Sequence, residues 1–432
     1  MSQNHDSDNQ PTLSAADQCL QPATGGSVQD ILSAQPPRLN AATLAVRTGI
    51  ESDAEHGAVV PPLYLSSNFA FRGFDDKREY DYTRSGNPTR DLLGDAISDL
   101  EGGAGAVITS SGMSAVYLVT HLIAADDLVL APHDCYGGCY RLLENLEKQK
   151  KLQLNFIDFS DTETAVQKIL EQKPRLVWLE TPSNPLLRVS DVRRLSEAAR
   201  EVGAWVVADN TFLSPALQQP ISLGADIVVH STTKYLNGHS DVVGGAVVAK
   251  TPELLEKLTW WANCIGVTGS PFDSFLTLRG IRTLKVRIAQ HESNARRLVD
   301  ILCAHGAVSK VYYPGLNSHQ GHAIARKQQS GFGGMISFEL KGDTTEVTTF
   351  LKELKLFSLA ESLGGVESLV AHPATMTHAA MSEEARQEAG IAPTLVRLSV
   401  GIEHDDDLAT DLTQALDRAF EVSSCQPRKI PA

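Results

Sequence analysis

Short apolar runs alternate with amphipathic stretches between about residues 90 and 250. In chain order the apolar runs are AVITSS, DLVLAP, LQLNFID, RLVWLE, AWVVADN and ADIVVHS. The segments between most of them repeat apolar residues at the spacing of one helix face. This alternation predicts βαβ units, and runs as uniformly apolar as AWVVAD indicate a mostly parallel sheet covered on both faces. Ligands of such sheets bind at the carboxyl ends of the strands.

The pattern changes after about residue 283. A long helical stretch runs from Thr283 to His305 and ends near Gly306. Strand-like runs then return in a different order, as SKVYYP, GMISFEL, LFSLAES and LVRLSV, with helical patterns at 344–354 and 405–421. This arrangement predicts a second, smaller α+β domain, which agrees with a chain of 432 residues exceeding what one core usually supports.

Composition and charge narrow the class of protein. The chain is 42% hydrophobic and 21% charged, and no apolar run approaches the roughly 20 residues of a membrane helix. The net charge of −14 repels nucleic-acid phosphates and anionic lipids, so neither nucleic acid nor membrane is expected as a partner. Six scattered cysteines indicate reduced thiols, and the expected location is the cytoplasm.

The amino terminus lacks the features of a targeting segment. No Lys or Arg precedes Arg38, and the first residues contain no apolar core. The segment is rich in Gln, Ser, Ala, Asp and Pro, so a disordered tail over 1–40 is expected.

The segment DIVVHSTTKYLNGHSD at 226–241 is the most informative part of the chain. An apolar strand ends there and brings Ser231, Thr233 and Lys234 into one loop. An isolated loop lysine is most often simply solvated. Two hydroxyls beside it favour another interpretation, because a phosphate needs hydrogen-bond donors and an aldehyde needs an amine.

An acid stands at the end of a neighbouring predicted strand. Asp209 closes AWVVADN about 25 residues before Lys234. Alone it could be a helix cap or a turn former. Beside a lysine, a buried acid can keep a pyridine nitrogen protonated, which is what makes pyridoxal phosphate an electron sink.

Two further segments offer contacts to a phosphorylated, planar ligand. In TSSGMSAVYLVTHLI a strand meets a helix, and the N–H groups of Gly112, Met113 and Ser114 would point at an anion, although an ordinary helix start has the same pattern. The nearby GGAGAV lacks the spacing of a dinucleotide site. In DCYGGCYR, Tyr136 could stack on a ring or simply pack. The two cysteines of that segment lack the clustering of a zinc site, so no metal is expected.

The lysine segment resembles, position by position, the lysine signature of the Cys/Met-metabolism family of pyridoxal-phosphate enzymes. The resemblance covers nearly the whole chain after the tail. Further matching segments are VVPPLYLSSNF, YDYTRSGNPTR, SGMSA, APHDCYGG, ETPSNPLLRV, DNTFLSPALQ, WWANCIGVTG, QSGFGGMISFEL, LAESLGGVESL and RLSVGIE.

The family resemblance implies a fold and a domain division. The expected fold is the fold-type I transferase, an α/β fold in which a mostly parallel central sheet is followed by a smaller C-terminal α+β domain. The predicted segments are a tail at 1–40, an arm at 41–90 that contacts a neighbouring subunit, a cofactor domain at 91–285, a C-terminal domain at 286–423 and a tail at 424–432.

The resemblance also assigns a cofactor, pyridoxal 5′-phosphate. Lys234 is expected to bind its aldehyde and then to move protons, Asp209 to pair with its pyridinium nitrogen, and Tyr136 to stack on its ring. Lys234 and Tyr136 are therefore the expected catalytic residues. The residues expected to bind the cofactor are Tyr82, Arg84, Gly112, Met113, Tyr136, Asp209, Thr211, Ser231, Thr233 and Lys234.

A shared active site is part of this expectation. Tyr82 and Arg84 would reach the phosphate from a neighbouring subunit. The expected assembly is accordingly a homotetramer, built as a dimer of dimers.

Substrate contacts follow from the same resemblance. Arg397 is expected to clamp the α-carboxylate of an amino-acid substrate as a bidentate fork, helped by Asn184 and the backbone around Ser362. Glu361 stands where family members with γ-chemistry carry an acid that could receive the ammonium of incoming cysteine, whereas the β-lyases look aromatic there. Arg141 resembles an arginine proposed for the succinyl carboxylate.

The reaction implied is replacement at the γ-carbon of O-succinyl-L-homoserine by L-cysteine, giving L-cystathionine and succinate in methionine biosynthesis. Such a reaction needs protons moved at Cα and Cβ, and one lysine can serve both carbons. Enterobacterial relatives show a second arginine where Ser85 stands here, which leaves the acyl group open.

Several alternatives remain from the sequence. An O-acylhomoserine sulfhydrylase, which uses sulfide, and a cystathionine γ-lyase share nearly every residue named above. Methionine γ-lyases carry a characteristic cysteine where Gly138 stands here. Residues 231–234 also match the S-x-x-K of serine β-lactamases, but the K-T-G and S-D-N companions are missing. A non-catalytic scaffold is disfavoured, because it would not need three costly buried charges at Lys234, Asp209 and Arg397.

Overall fold

The structure is a computed structural model that describes residues 39–379 and 381–425, with the side chains of 421–425 left out. Residues 1–38 and 426–432 lie outside the described residues, and they make up most of the two predicted tails. The boundaries proposed for the arm and the two domains stay predictions. None of the described helices is long and apolar enough to cross a membrane.

A seven-stranded sheet forms the centre of the larger part of the fold. Its strands are β1 (Gly105–Thr109), β2 (Leu128–Pro132), β3 (Gln153–Ile157), β4 (Leu176–Glu180), β5 (Trp205–Asp209), β6 (Ile227–His230) and β7 (Gly245–Ala249). Their spatial order is β1-β7-β6-β5-β4-β2-β3. Strand β7 is antiparallel to β1 and β6, and the other neighbours are parallel. The predicted α/β fold with a mostly parallel sheet is confirmed.

Strand β7 was not predicted. Its run GAVVA follows the loop after Lys234 without an intervening helix, so the βαβ rhythm on which the other six strands were recognised is broken there. A parallel neighbour would need a crossover helix, whereas an antiparallel one does not.

Helices cover both faces of this sheet. They are α1 (Ala41–Arg47), α2 (Pro88–Glu101), α3 (Gly112–Thr120), α4 (Gly137–Lys148), α5 (Thr162–Gln172), α6 (Val192–Glu201), α7 (Ser214–Leu217), α8 (Pro220–Leu223), α9 (Pro252–Ile265) and α10 (Pro271–Ile281). Local sequence sets their ends. Helix α2, for example, begins after Asn87, whose side chain accepts hydrogen bonds from the first-turn N–H groups, and ends at Gly102 in the left-handed conformation.

The carboxyl-terminal part contains a second, five-stranded sheet. It consists of α11 (Leu284–Ala304), β8 (Val308–Tyr312), α12 (His322–Gln328), β9 (Met335–Leu340), α13 (Thr344–Glu353), β10 (Ser358–Leu359), β11 (Leu369–Ala371), α14 (Glu383–Ala389), β12 (Leu395–Ser399) and α15 (Asp405–Cys425). The strand order is β10-β11-β12-β9-β8, and only β10 and β11 are parallel. Helices α11, α13 and α15 share one apolar core with this sheet. The predicted smaller α+β part is confirmed.

Two short strands in this part differ from the expectation. The run LFSLAES forms only two residues of strand β10, and β11 was not predicted. Both flank the glycine-containing turn SLGGVES, so neither is long enough to show an alternating pattern.

Buried His291 joins helix α11 to the end of strand β12. Its Nδ1 lies 2.7 Å from the carbonyl oxygen of Val400, and the residue is fully buried. Burial lowers the pKa of His291 from 6.5 to about 4. The folded protein therefore holds this imidazole neutral at pH values where the unfolded chain binds a proton.

We expect stability to fall as the pH drops from about 6.5 towards about 4, with His291 contributing on the order of 2 kcal/mol. The measurement is the free energy of unfolding in urea over this range, for the wild type and for His291→Gln at equal protein concentration. Carboxyl groups titrate alike in both proteins, so the variant should show the shallower fall. Parallel curves would contradict this role.

Candidate active site

A cavity of about 410 Å³ lies where β4, β5 and β6 end. Because parallel strands end at the same edge of a sheet, the residues that close or follow them come together there. The cavity is lined by Ser111, Gly112, Met113, Val116, Tyr136, Cys139, Glu180, Pro182, Asn184, Asp209, Thr211, Phe212, Val229, Ser231, Thr233, Lys234, Val243, Glu361, Ser362, Leu363, Thr377 and Arg397. Twelve of the fifteen site residues expected from the sequence are in this set.

Lys234 extends into the cavity from the loop after β6. Its Nζ donates a hydrogen bond of 2.6 Å to the hydroxyl of Ser362. Burial and, to a lesser degree, the nearby Arg397 cation lower the pKa of Lys234 to about 8, while Glu361 opposes the shift. An amine that loses its proton near neutral pH can act as a nucleophile and as a base.

Ser362 adopts a left-handed backbone conformation, with φ of 85°. Residues other than glycine rarely adopt it, and such strain persists only where surrounding contacts hold it. Here the hydroxyl accepts from Lys234, and the carbonyl oxygen accepts from Arg397 at 2.9 Å. One strained residue of the carboxyl-terminal part thus contacts both cations of the cavity.

The Arg397 guanidinium, on β12, is almost fully buried at 2% exposure. Its Nη1 donates to Asn184 Oδ1 at 2.8 Å, and its Nη2 donates to the Ser362 carbonyl. Its Nε has no hydrogen-bond partner, and within the described ranges no carboxylate lies within ion-pair distance of this guanidinium. Burial lowers the pKa of Arg397 to about 10. This arrangement is suited to binding the carboxylate group of a ligand.

Two neighbouring strands each end in a residue with a carboxyl group. Glu180 ends β4 and stands opposite Asp209, which ends β5. Burial raises the pKa of Asp209, although the backbone N–H and the hydroxyl of Thr211 oppose the shift. Burial and the nearby Asp209 raise the pKa of Glu180 well above its usual range. A cationic group of a ligand would compensate this buried acid pair.

The start of helix α3 forms an anion-binding edge of the cavity. The hydroxyl of Ser111 caps the helix by accepting from the N–H of Ser114, and the leading N–H groups of any helix have no partners inside the helix itself. A Cβ atom on Gly112 would lie 2.8 Å from Cβ of Ser231, so this close approach requires glycine. The Thr233 hydroxyl donates to the carbonyl of Gly244 at 3.2 Å and also accepts from its N–H.

Tyr136 forms an aromatic wall of the cavity directly before helix α4. Its side chain is 42% exposed. Burial raises the pKa of its phenol, and the charges of Arg141 and Arg397 oppose this. Glu361 lines the same cavity and is itself exposed, so its carboxylate is accessible to solvent.

Three residues expected from the sequence do not line the cavity. They are Tyr82, Arg84 and Arg141. Arg84 Nε donates to Asn263 Oδ1 at 3.0 Å, and its guanidinium lies 5.5 Å from the centre of the Tyr82 ring. Arg141 is exposed on α4. Their expected roles stay predictions.

Sequence reasoning missed several residues of the cavity, of which Glu180 is the most polar. A signal was present, because RLVWLE ends in an acid at the edge where AWVVADN also ends in one. Thr377 gave no such signal, since it lies in a turn segment between β11 and α14 and reaches the cavity through tertiary packing. The Lys234 amine of the S-x-x-K match donates to the hydroxyl of Ser362, which lies outside that motif.

The sequence of this chain was compared with the profiles of known protein families. The profile of a family described as Cys/Met metabolism PLP-dependent enzyme matches residues 42–417. The chain belongs to this family.

Members of known activity resemble the chain over most of its length. Cystathionine γ-synthase of Escherichia coli strain K12 is 56% identical over 372 residues, which are 86% of this chain and 96% of the relative. A crystal structure of cystathionine γ-synthase from Xanthomonas oryzae pv. oryzae, in complex with aminoacrylate and cysteine, has 57% identity and a TM-score of 0.87, covering 89% of this chain and 99% of the other. Cystathionine β-lyase of Lactococcus lactis subsp. cremoris strain MG1363 is 46% identical over 376 residues, 87% of this chain and 98% of the relative.

The residues present fit pyridoxal phosphate, the cofactor of this family. The glycine-dependent approach of helix α3 to Ser231 suits a phosphate, and the acid at Asp209 suits a protonated pyridine nitrogen. The amine of Lys234, whose lowered pKa favours the neutral form, suits an aldehyde.

We expect the cofactor-free protein to bind pyridoxal phosphate faster as the pH rises through about 8, because only the neutral Lys234 amine attacks an aldehyde. The rate is followed by the visible absorbance of the bound cofactor. Arg397→Leu should move the midpoint upwards, since it removes a neighbouring positive charge. Arg193→Leu, on the exposed surface of α6, is the control. A midpoint near 10.5 in the wild type would show that the cavity does not perturb this lysine.

Proposed function

We propose that the protein replaces the succinyloxy group at Cγ of O-succinyl-L-homoserine with the thiolate of L-cysteine. The Cγ–O bond breaks, the cysteine sulfur bonds to Cγ, and L-cystathionine and succinate are released. The proposal is supported by 56% identity to one γ-synthase, against 46% to the β-lyase. It is also supported by the Xanthomonas relative, which was crystallised with aminoacrylate and cysteine.

The observation that carries the proposal is the buried guanidinium of Arg397 beside Lys234, which forms no ion pair with a carboxylate of the described residues. Buried positive charge without an acid is costly unless a ligand supplies one. The α-carboxylate of an amino acid does so, and the Nε that lacks a partner gives this ligand a donor. Asn184 and Ser362 hold the guanidinium plane in place through its two Nη atoms.

Lys234 is proposed to move the protons of the reaction. Its pKa of about 8 lets the amine both accept and return a proton near neutral pH. The hydrogen bond to Ser362 holds the Nζ atom on the side of the cavity where Arg397 would bind the substrate. One amine can therefore serve both Cα and Cβ.

The cofactor is proposed to be held by the residues that fit it. When bound, pyridoxal phosphate supplies an electrophilic aldehyde and an electron sink for substrate carbanions. The start of helix α3 with Ser231 would hold the phosphate, Asp209 the pyridinium nitrogen, and Tyr136 one face of the ring. Thr211 fixes the position of Asp209 by donating its N–H to Oδ1 at 3.0 Å.

Glu361 is proposed to receive the ammonium group of cysteine. It lines the cavity, and its exposure leaves it accessible to a second substrate that enters after the first. Its charge also acts on Lys234 and Arg397.

The assembly is proposed to be a homotetramer, a dimer of dimers with shared active sites. Tyr82 is 48% exposed and lies outside the cavity of its own chain, which agrees with a role in a neighbouring subunit. Arg84 and Asn263 would then act together, since they are hydrogen-bonded.

We expect cystathionine to be the main product when the protein meets O-succinyl-L-homoserine with equal cysteine and sulfide, as measured by mass spectrometry. Lys234→Ala should lose nearly all turnover, because no other amine lines the cavity among the described residues. Homocysteine as the main product would make the protein a sulfhydrylase. No product from the succinyl ester would refute the assigned donor.

We expect Glu361→Gln to slow cysteine-dependent turnover roughly three- to tenfold at subsaturating cysteine, because one ion pair to the ammonium is lost. Elimination to 2-oxobutyrate in the absence of cysteine should change little. Both rates can be measured on one preparation. Glu163→Gln, an exposed carboxylate on α5, is the matched control. Equal losses in the two reactions would remove the assigned role.

A further inference from the structure

A single carboxylate joins two walls of the cavity. Glu180 is 5% exposed and lines the cavity from the end of β4. Its Oε2 accepts a hydrogen bond from the backbone N–H of Tyr136 at 2.7 Å, and its Oε1 accepts one from the backbone N–H of Asn184 at 2.9 Å. Both oxygens are therefore engaged, each with a different segment of the chain.

Each of these two segments carries one ligand-binding element of the proposed site. The first begins helix α4 and places the Tyr136 ring. The second places the Asn184 side chain, whose Oδ1 accepts from Nη1 of Arg397. A displacement of the Glu180 carboxylate would move the aromatic wall, the support of the guanidinium, or both.

Helix α4 depends on this carboxylate for its amino-terminal contact. Tyr136 occupies the cap position and provides no side-chain cap of its own. A carboxylate that accepts from the N–H of the cap residue makes the same contact as the glutamate of a capping box, and it interacts favourably with the helix dipole. Glu180 supplies this contact from a strand 44 residues further along the chain.

The contacts to Tyr136 and Asn184 use both oxygens of Glu180 as acceptors, and these two hydrogen bonds favour its ionised form against burial and the charge of Asp209. A carboxylate accepts at both, whereas the amide of glutamine offers one oxygen and one NH2 group. In Glu180→Gln an NH2 group would face a backbone N–H, so one of the two contacts must be lost although size and shape are kept. The Tyr136 contact is the shorter of the two. We therefore expect the amide oxygen to keep the hydrogen bond from the N–H of Tyr136, while the hydrogen bond from the N–H of Asn184 is lost.

We propose that Glu180 is a positioning residue that couples cofactor stacking at Tyr136 to carboxylate binding at Arg397. The inference rests on the proposed function for the roles of those two residues. It assigns to Glu180 no contact with substrate. Its effect on the substrate carboxylate runs through the backbone of Asn184 and the amide side chain that supports the guanidinium.

The first experiment measures binding rather than turnover. The cofactor-loaded protein is titrated with L-alanine, which has an α-carboxylate but no γ-carbon, and the cofactor absorbance gives the dissociation constant. Glu180→Gln should raise the dissociation constant of L-alanine roughly ten- to a hundredfold, because one hydrogen bond to a charged group is lost. The dissociation constant of pyridoxal phosphate, measured on cofactor-free protein, should change much less.

Glu101→Gln is the matched control. Glu101 is another buried carboxylate, 1% exposed, that accepts from Asn210 and pairs with His230 outside the cavity. The Glu101→Gln substitution should lower the stability of the protein without weakening the binding of L-alanine. Similar weakening in both variants, or unchanged L-alanine binding in Glu180→Gln, would overturn the proposal.

A double substitution tests the route of the effect. In an Asn184→Ala background the side chain that links Glu180 to Arg397 is gone, so adding Glu180→Gln should weaken L-alanine little further. Full additivity would refute the route through Asn184. L-alanine binding does not depend on the acyl group or the thiol, so a wrong donor in the proposed reaction leaves this test intact.

Discussion

The guanidinium of Arg397 is enclosed in the fold without a carboxylate partner among the described residues, and much of the site is arranged around this charge. An unpaired buried charge costs free energy, so its surroundings must hold it by other means. Here the amide oxygen of Asn184 and the carbonyl oxygen of Ser362 accept from it, and burial together with this cation lowers the pKa of the neighbouring lysine amine. In the proposed function, a substrate carboxylate would offset the cost.

The two acidic groups of the cavity are placed by the register of the sheet. Parallel pairing of β4 with β5 places Glu180 opposite Asp209, so two acids lie side by side at the strand ends. They differ in their hydrogen-bond partners. Asp209 accepts from the N–H of Thr211 and lines the cavity, whereas both oxygens of Glu180 accept from backbone N–H groups of the site itself.

The cavity also depends on the two sheets being held together. Lys234 and Asp209 come from the seven-stranded sheet, while Ser362 and Arg397 come from the five-stranded part. The hydrogen bonds of Ser362 to Lys234 and of Arg397 to Asn184 cross between them. A change in packing far from the chemistry would therefore reach the two cations through a few short contacts.

The sequence by itself determined the strands, the helices and much of the site. Apolar runs bounded by turns fixed β1 to β6, because continuous burial leaves a local pattern. The lysine loop and Asp209 were recognisable because parallel strands bring their ends to one edge. Strand β7 and the role of Glu180 could not be predicted in this way, because antiparallel pairing and the register between strands depend on residues far apart in the chain.

Only the tertiary structure decided that one carboxylate contacts both Tyr136 and Asn184 and that Ser362 contacts both cations. It also decided that Arg397 forms no ion pair with a carboxylate of the described residues. Those facts depend on distances between segments up to about two hundred residues apart, which no local pattern encodes.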